Sequence, residues 1–99
     1  QHGSNSLAIQ QARAYQAARA GLEWAISQAD RGQCAATRTL SLTGSNLAEF
    51  DGVVVTCTVQ SYSEEGRTVN IYRLNAVAQN GTPGARPDYA FRRLTAVVE

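Results

Sequence analysis

Residues 5–30, NSLAIQQARAYQAARAGLEWAISQAD, decide how this chain is read. The stretch is rich in Ala, Gln, Arg and Leu, all good helix formers, and it holds no Pro and one Gly. At about 100° per residue, Ala8, Gln11, Tyr15, Ala18, Leu22, Ile26 and Ala29 fall on one stripe, with Leu7 and Ala25 at its edge. This spacing predicts a helix with that stripe against a core. Gly32, following Asp30 and Arg31, offers a left-handed cap at the end. Roughly 24 helical residues span about 36 Å at 1.5 Å per residue. A small domain has no core that deep, so part of the helix is expected to extend past its sheet.

Arg13, Ala17, Ala20, Gly21 and Trp24 lie roughly opposite Tyr15 and Leu22. One large aromatic beside small residues is a surface that a second helix can approach, so these five are the expected subunit interface. The alternative is that Trp24 folds back onto a loop of its own domain and the alanines reflect helix propensity alone.

Downstream of the helix everything reads as strands and turns. Residues 37–43 alternate Leu40 and Leu42 with polar residues and predict a short strand. Residues 47–50 suit one helical turn. Residues 53–62, VVVTCTVQSY, are the strongest strand, with Val53, Val55, Cys57 and Val59 on one face. Ser63-Glu64-Glu65-Gly66 predicts a hairpin built on a type I turn followed by Gly. Glu64 and Glu65 are read as solvated turn residues.

Residues 67–79 put Val69 and Ile71 in one phase and Leu74, Ala76 and Ala78 in the other, which predicts a bulge or strong twist near Tyr72-Arg73. Residues 88–98 change phase in the same way past Arg92-Arg93. Aligning the two irregular spots pairs Leu74 with Leu94 and Val77 with Phe91, and gathers Arg73, Arg92 and Arg93 into a small basic patch. That patch is either a solvated face or a contact for an acidic partner. The loop 80–87 between these strands is rich in turn residues and cannot continue a ladder. The order predicts an α+β fold, one long N-terminal helix packed on a four-stranded antiparallel sheet.

Composition narrows the chemistry. The 99 residues make one domain of net charge +1, with no basic stripe of the kind a nucleic-acid binder carries. No apolar run is long enough to span a bilayer. There is no Lys, and the sole His is His2. It lies in Gln1-His2-Gly3-Ser4, which reads as an expression scar. Residues 1–4 are therefore set aside, 5–32 are the helix, and 33–99 the sheet domain. Without Lys or a native His, Schiff-base chemistry, His-activated nucleophiles and a zinc site have no side chains to build on. The chain reads as non-enzymatic, with no catalytic residue, metal or cofactor. Cys34 and Cys57 match no metal or redox spacing. They read as one disulfide in an oxidising compartment, the alternative being a pair of unpaired buried thiols. Since Cys57 shares a face with the valines, the bond would staple the helix end to the middle of the strongest strand.

A resemblance gives this pattern a context. Arg13-Ala14-Tyr15-Gln16-Ala17-Ala18-Arg19-Ala20-Gly21-Leu22-Glu23-Trp24 is similar to the helix of type IV pilin-like minor pilins. The likeness is to the MshP type of the mannose-sensitive haemagglutinin (MSHA) pilus biogenesis system. Cys34, Phe50 leading into Val53-Val54-Val55-Thr56-Cys57, Tyr89 and Arg92-Arg93-Leu94 agree with it. The resemblance covers about residues 7–98. It implies a precursor with a short leader, an apolar helical half ahead of the segment seen here, and a glutamate near the mature start. This sequence lacks all three, as expected if it was trimmed for solubility.

The family implies a non-enzymatic subunit that is incorporated into a type IV pilus or primes its assembly. Its partners would be other major and minor pilins and the inner-membrane assembly platform. It would be anchored in the inner membrane through the upstream helix, with a periplasmic domain, and would then move to the surface pilus. A type II secretion pseudopilin shares the same helix-on-sheet logic. From a different class, a secreted adhesin or ligand-binding module would use the 80–87 loop or the arginine patch.

Overall fold

The structure is a computed structural model describing residues 2–82, 84 and 87–99, with side chains from Ser6 onward. Helix α1 (His2–Asp30) is followed by strands β1 (Thr37–Leu40), β2 (Val53–Glu64), β3 (Arg67–Gln79) and β4 (Phe91–Val98). The strands form one antiparallel meander in the order β1-β2-β3-β4, and α1 lies on one face of it, mainly over β3 and β4. The α+β architecture read from the sequence is the architecture observed.

The helix starts earlier than the sequence suggests and is helical through His2–Ser4. It ends as expected, with Gly32 at φ 75° and its N–H bonded to the Ala29 carbonyl. The face it buries is rotated from the expected stripe. Gln10, Ala14, Ala17, Ala18, Gly21, Ala25 and Ala29 are buried, whereas Ala8 and Tyr15 are exposed and Gln11, Leu22 and Ile26 are half-buried. The cause is close approach. A Cβ added to Gly21 would stand 2.7 Å from Val53 Cγ1 and 3.3 Å from Val55 Cγ2, so only the smallest residues fit between helix and sheet. Larger side chains are displaced to the flanks of this thin seam.

Beneath α1, the sheet contributes Val53, Val55 and Cys57 from β2 and Tyr72, Leu74, Ala76 and Ala78 from β3. Phe50, at the end of a 3-10 turn (Ala48–Phe50), closes the core. Val59 lies in phase with Val53 but is 46% exposed, because the hairpin of β2 and β3 runs on beyond the end of the helix. At the other end Ser6 and Gln10 are tied to the segment before β4, so the main overhang in the described structure is the hairpin.

Several strand details differ from expectation. β1 stops at Leu40 because Ser41–Thr43 turn around the Asp51 carboxylate, which accepts from the Leu42 N–H (2.7 Å) and the Ser41 hydroxyl (2.9 Å). The hairpin turn is Glu65-Gly66, with both residues at positive φ (50° and 79°) and Glu64 paired with Arg67. This is the primed turn that matches strand twist.

β3 carries no bulge. Its register to β2 is unbroken from Val54↔Val77 to Glu64↔Arg67. Val69 and Ile71 face away from the helix while Leu74, Ala76 and Ala78 face it, so the change of phase marks where the helix stops covering the sheet. β4 begins at Phe91 rather than residue 88 and pairs Ala76↔Leu94 and Gln79↔Phe91, two positions from the expected register.

Candidate functional site

The described structure has no cleft with convergent chemistry; its distinctive surfaces are the two flanks of α1 and the open β4 edge. On the β1 flank, the Arg13 guanidinium donates to the Asn46 carbonyl and stands 3.7 Å from the Glu49 carboxylate. Trp24 is half-buried against the core, and the Arg38 guanidinium lies 5.4 Å from its ring centroid. Cation–π contact and the loop bonds hold this flank to its own chain.

The residues read as a subunit interface therefore separate. Ala17 and Gly21 are buried against the sheet, Arg13 and Trp24 are engaged by loop and strand, and Ala20 is exposed. The expectation that all five form one open surface is corrected. Small residues beside an aromatic mark the contact with the chain's own sheet.

The β4 flank is looser. Tyr15 is 39% exposed with the Arg92 guanidinium 5.5 Å from its ring centroid, and Leu22 and Ile26 of the helix, like Leu94 and Val98 of β4, are half-buried against the core. The basic patch does not form. Adjacent strand residues point to opposite faces, so Arg92 (opposite Ala78) lies on the helix side and Arg93 (opposite Val77) on the far side. Arg73 shares the far side with Arg93 but pairs with Val97, four positions along the strand.

Toward the start of the helix lies a polar cluster the sequence reading missed. Asn80 Nδ2 donates to Gln10 Oε1 (3.0 Å) and to the Asp88 carbonyl (3.1 Å), and Asn80 Oδ1 accepts from the Ala90 N–H (2.8 Å). Gln10 in turn donates to Glu49, and the Ser6 hydroxyl donates to Asp88 at 2.8 Å. Both amide side chains are buried, and their bonds satisfy groups that would otherwise be stranded away from water. An Asn-Gly pair closing a strand announces a turn, but no local signal announces its partner 70 residues upstream. Of the 80–87 loop, Pro83, Ala85 and Arg86 lie outside the described residues.

The outward side of α1 also changes along its length. Ala8, Ile9, Ala12, Tyr15 and Gln16 are exposed and uncharged, whereas Arg19, Glu23 and Asp30 follow on the second half. Ile9 is 56% exposed.

Cys34 and Cys57 form a disulfide with their Cα atoms 5.4 Å apart. Beside it Trp24, Arg38 and Val55 line a recess of about 60 Å³, well below the roughly 300 Å³ of a small-molecule pocket. A larger, more open and mainly polar groove of about 360 Å³ between the helix end and the hairpin is lined by Asp30, Arg67, Asn70, Tyr72 and Glu99. Among the described residues no cluster of His, Cys, Asp or Glu has the makings of a metal site, and no helix is long and apolar enough to cross a membrane.

These features define a small disulfide-stapled α+β domain with an apolar, exposed helix start. Against protein-family models, curated proteins and solved structures, the chain matches none.

Proposed function

We propose that this domain is the soluble part of a type IV pilin-like minor pilin of the MSHA type. In this reading it is a non-enzymatic subunit that enters a pilus or primes its assembly. Its helix continues upstream into an inner-membrane anchor, and its partners are other pilins and the inner-membrane assembly platform. The domain faces the periplasm before it reaches the surface pilus.

The observation that carries the reading is the uncharged outward side of the first half of α1, from Ala8 to Gln16, with Ile9 56% exposed. An apolar helix surface left in water is costly to maintain unless another surface covers it. Small residues at Ala8 and Ala12 permit a neighbouring helix to come close. The expected surface at Ala17 and Gly21 is already used inside the domain, so the reading moves to the helix start.

The test places Ile9→Glu with Ala12→Glu in the natural protein in its own cells. The expected outcome is an isolated domain with an unchanged melting curve and cells that lose surface pili. Normal pilus numbers, with the variant present at wild-type level, overturn the proposal.

A further inference from the structure

The sheet ends in β4, whose outer edge is open along its length: no other strand pairs with it among the described residues. Exposed edges in monomeric proteins are usually blunted by charged side chains, Pro, a bulge or a covering loop. In residues 91–98, FRRLTAVV, the charges are confined to Arg92 and Arg93, there is no Pro, and the ladder to β3 is regular, which leaves Leu94–Val98 as the unprotected part of the edge. We infer that this edge is a self-association site, pairing antiparallel with β4 of a second copy about a two-fold axis through Ala96.

Charge and side-chain complementarity select the partner. A dyad perpendicular to the sheet keeps each residue on its own face, so only same-face residues meet. With Ala96 opposite Ala96, Leu94 faces Val98 of the second copy on the helix side, and Thr95 faces Val97 on the far side. Glu99 directly follows β4, and extending the pairing by that one residue sets Arg93 opposite Glu99 of the second copy, with the same pair recurring across the dyad. Opposite charges at such positions stabilise strand pairing, and like charges oppose it. Arg93 and Glu99 have no ion-pair partner of their own among the described residues. The Arg92 guanidinium remains over Tyr15 of its own chain.

The helices fit the same dyad. α1 runs alongside β4 in the same direction: Ser6 bonds Asp88, Tyr15 stacks on Arg92, and Ala29 shares a groove with Glu99. Level with the dyad the helix stands over β2 and β3, where Gly21 meets Val53, Val55 and Ala76, so the two helices are set back from the joined edges and leave the strands room to pair.

The inference does not rest on the filament reading. The dyad sets the two helix starts at opposite ends, so the pair joins domains of separate assemblies rather than neighbours anchored side by side.

Sedimentation velocity on the 99-residue chain, from micromolar to about millimolar, tests the pairing, with amide hydrogen exchange mapping it. The expected result is a monomer–dimer equilibrium in which protection of residues 93–99 rises with concentration. Arg93→Glu and Glu99→Arg, each exposed and each creating like-charge pairs, should weaken the dimer about tenfold. The double variant R93E/E99R should return it to within about threefold of the parent. A chain that stays monomeric throughout overturns the inference. So does a dimer indifferent to R93E, or one whose protection lies away from β4.

Discussion

The two flanks of α1 differ in how they are held. On the β1 side, Arg13, Trp24 and the disulfide beyond the helix end bind helix to loop and strand through directional contacts. On the β4 side, Tyr15, Leu22 and Ile26 lean over the sheet edge without closing it. Apart from Trp24, the larger apolar residues from Tyr15 onward are on the looser side. What fixes the helix is the seam between the flanks, where Ala14, Ala17, Ala18, Gly21 and Ala25 let the backbone approach the valines of β2. Burial here depends on small side chains and close packing, so apolar size is a poor guide to which face is inside.

The comparison breaks most visibly at the disulfide. Cys34→Ser with Cys57→Ser, or reduction, should lower stability by about 3 kcal/mol, the chain-entropy value for a loop of this length. A urea titration with and without reductant measures it, and coincident curves would mean the bond does not hold the tied flank. Next in size is the polar cluster. Asn80→Ala leaves Gln10 and the Ala90 N–H without their buried partner and should destabilise by about 2 kcal/mol. Hydrogen exchange should show the opening concentrated at residues 6–13 and 87–91.

A smaller effect is expected on the looser flank. Tyr15→Ser removes a part-exposed ring and its guanidinium contact, and should cost less than about 1 kcal/mol in the same titration. A loss as large as that at Asn80 would erase the distinction between the flanks.

The smallest effect is a pH dependence at the turn beside β1. Hydrogen bonds from the Leu42 N–H first, and then from the Ser41 hydroxyl, hold the Asp51 carboxyl below its ordinary value of 3.8. A lowered folded-state pKa means the contribution is fully present above the unfolded value and is lost as pH falls through the folded one. Amide shifts of Leu42 and Thr43 should therefore hold steady above about pH 4 and move only below it. Asp51→Asn should abolish that titration.

Much of this architecture is legible in the sequence. Element order, the meander, the buried face of Val53, Val55 and Cys57, and the disulfide all follow from β-branched runs with a period of two, a helix stop at Gly32 and paired cysteines. The misreadings have distinct physical causes. A register shift of two keeps every side chain on its face, so alternation alone cannot separate Leu74↔Leu94 from the observed Leu74↔Ala96. Arg92 and Arg93 were separable at once, since neighbours on a strand cannot share a face. The helix face was misread because periodicity ranks Tyr15, Leu22 and Ile26 above alanine, while the distance to the sheet favours alanine. The bond between Gln10 and Asn80 joins residues far apart in sequence and leaves no local trace.

The central claim is that close approach at Gly21 sets the helix on the sheet, and its most direct test is the unfolding free energy of Gly21→Ala. In an ordinary helix interior this substitution stabilises by roughly 0.5–1 kcal/mol. With Val53 Cγ1 2.7 Å from the added Cβ, the account predicts a loss of about 1–3 kcal/mol. A gain in stability would contradict it.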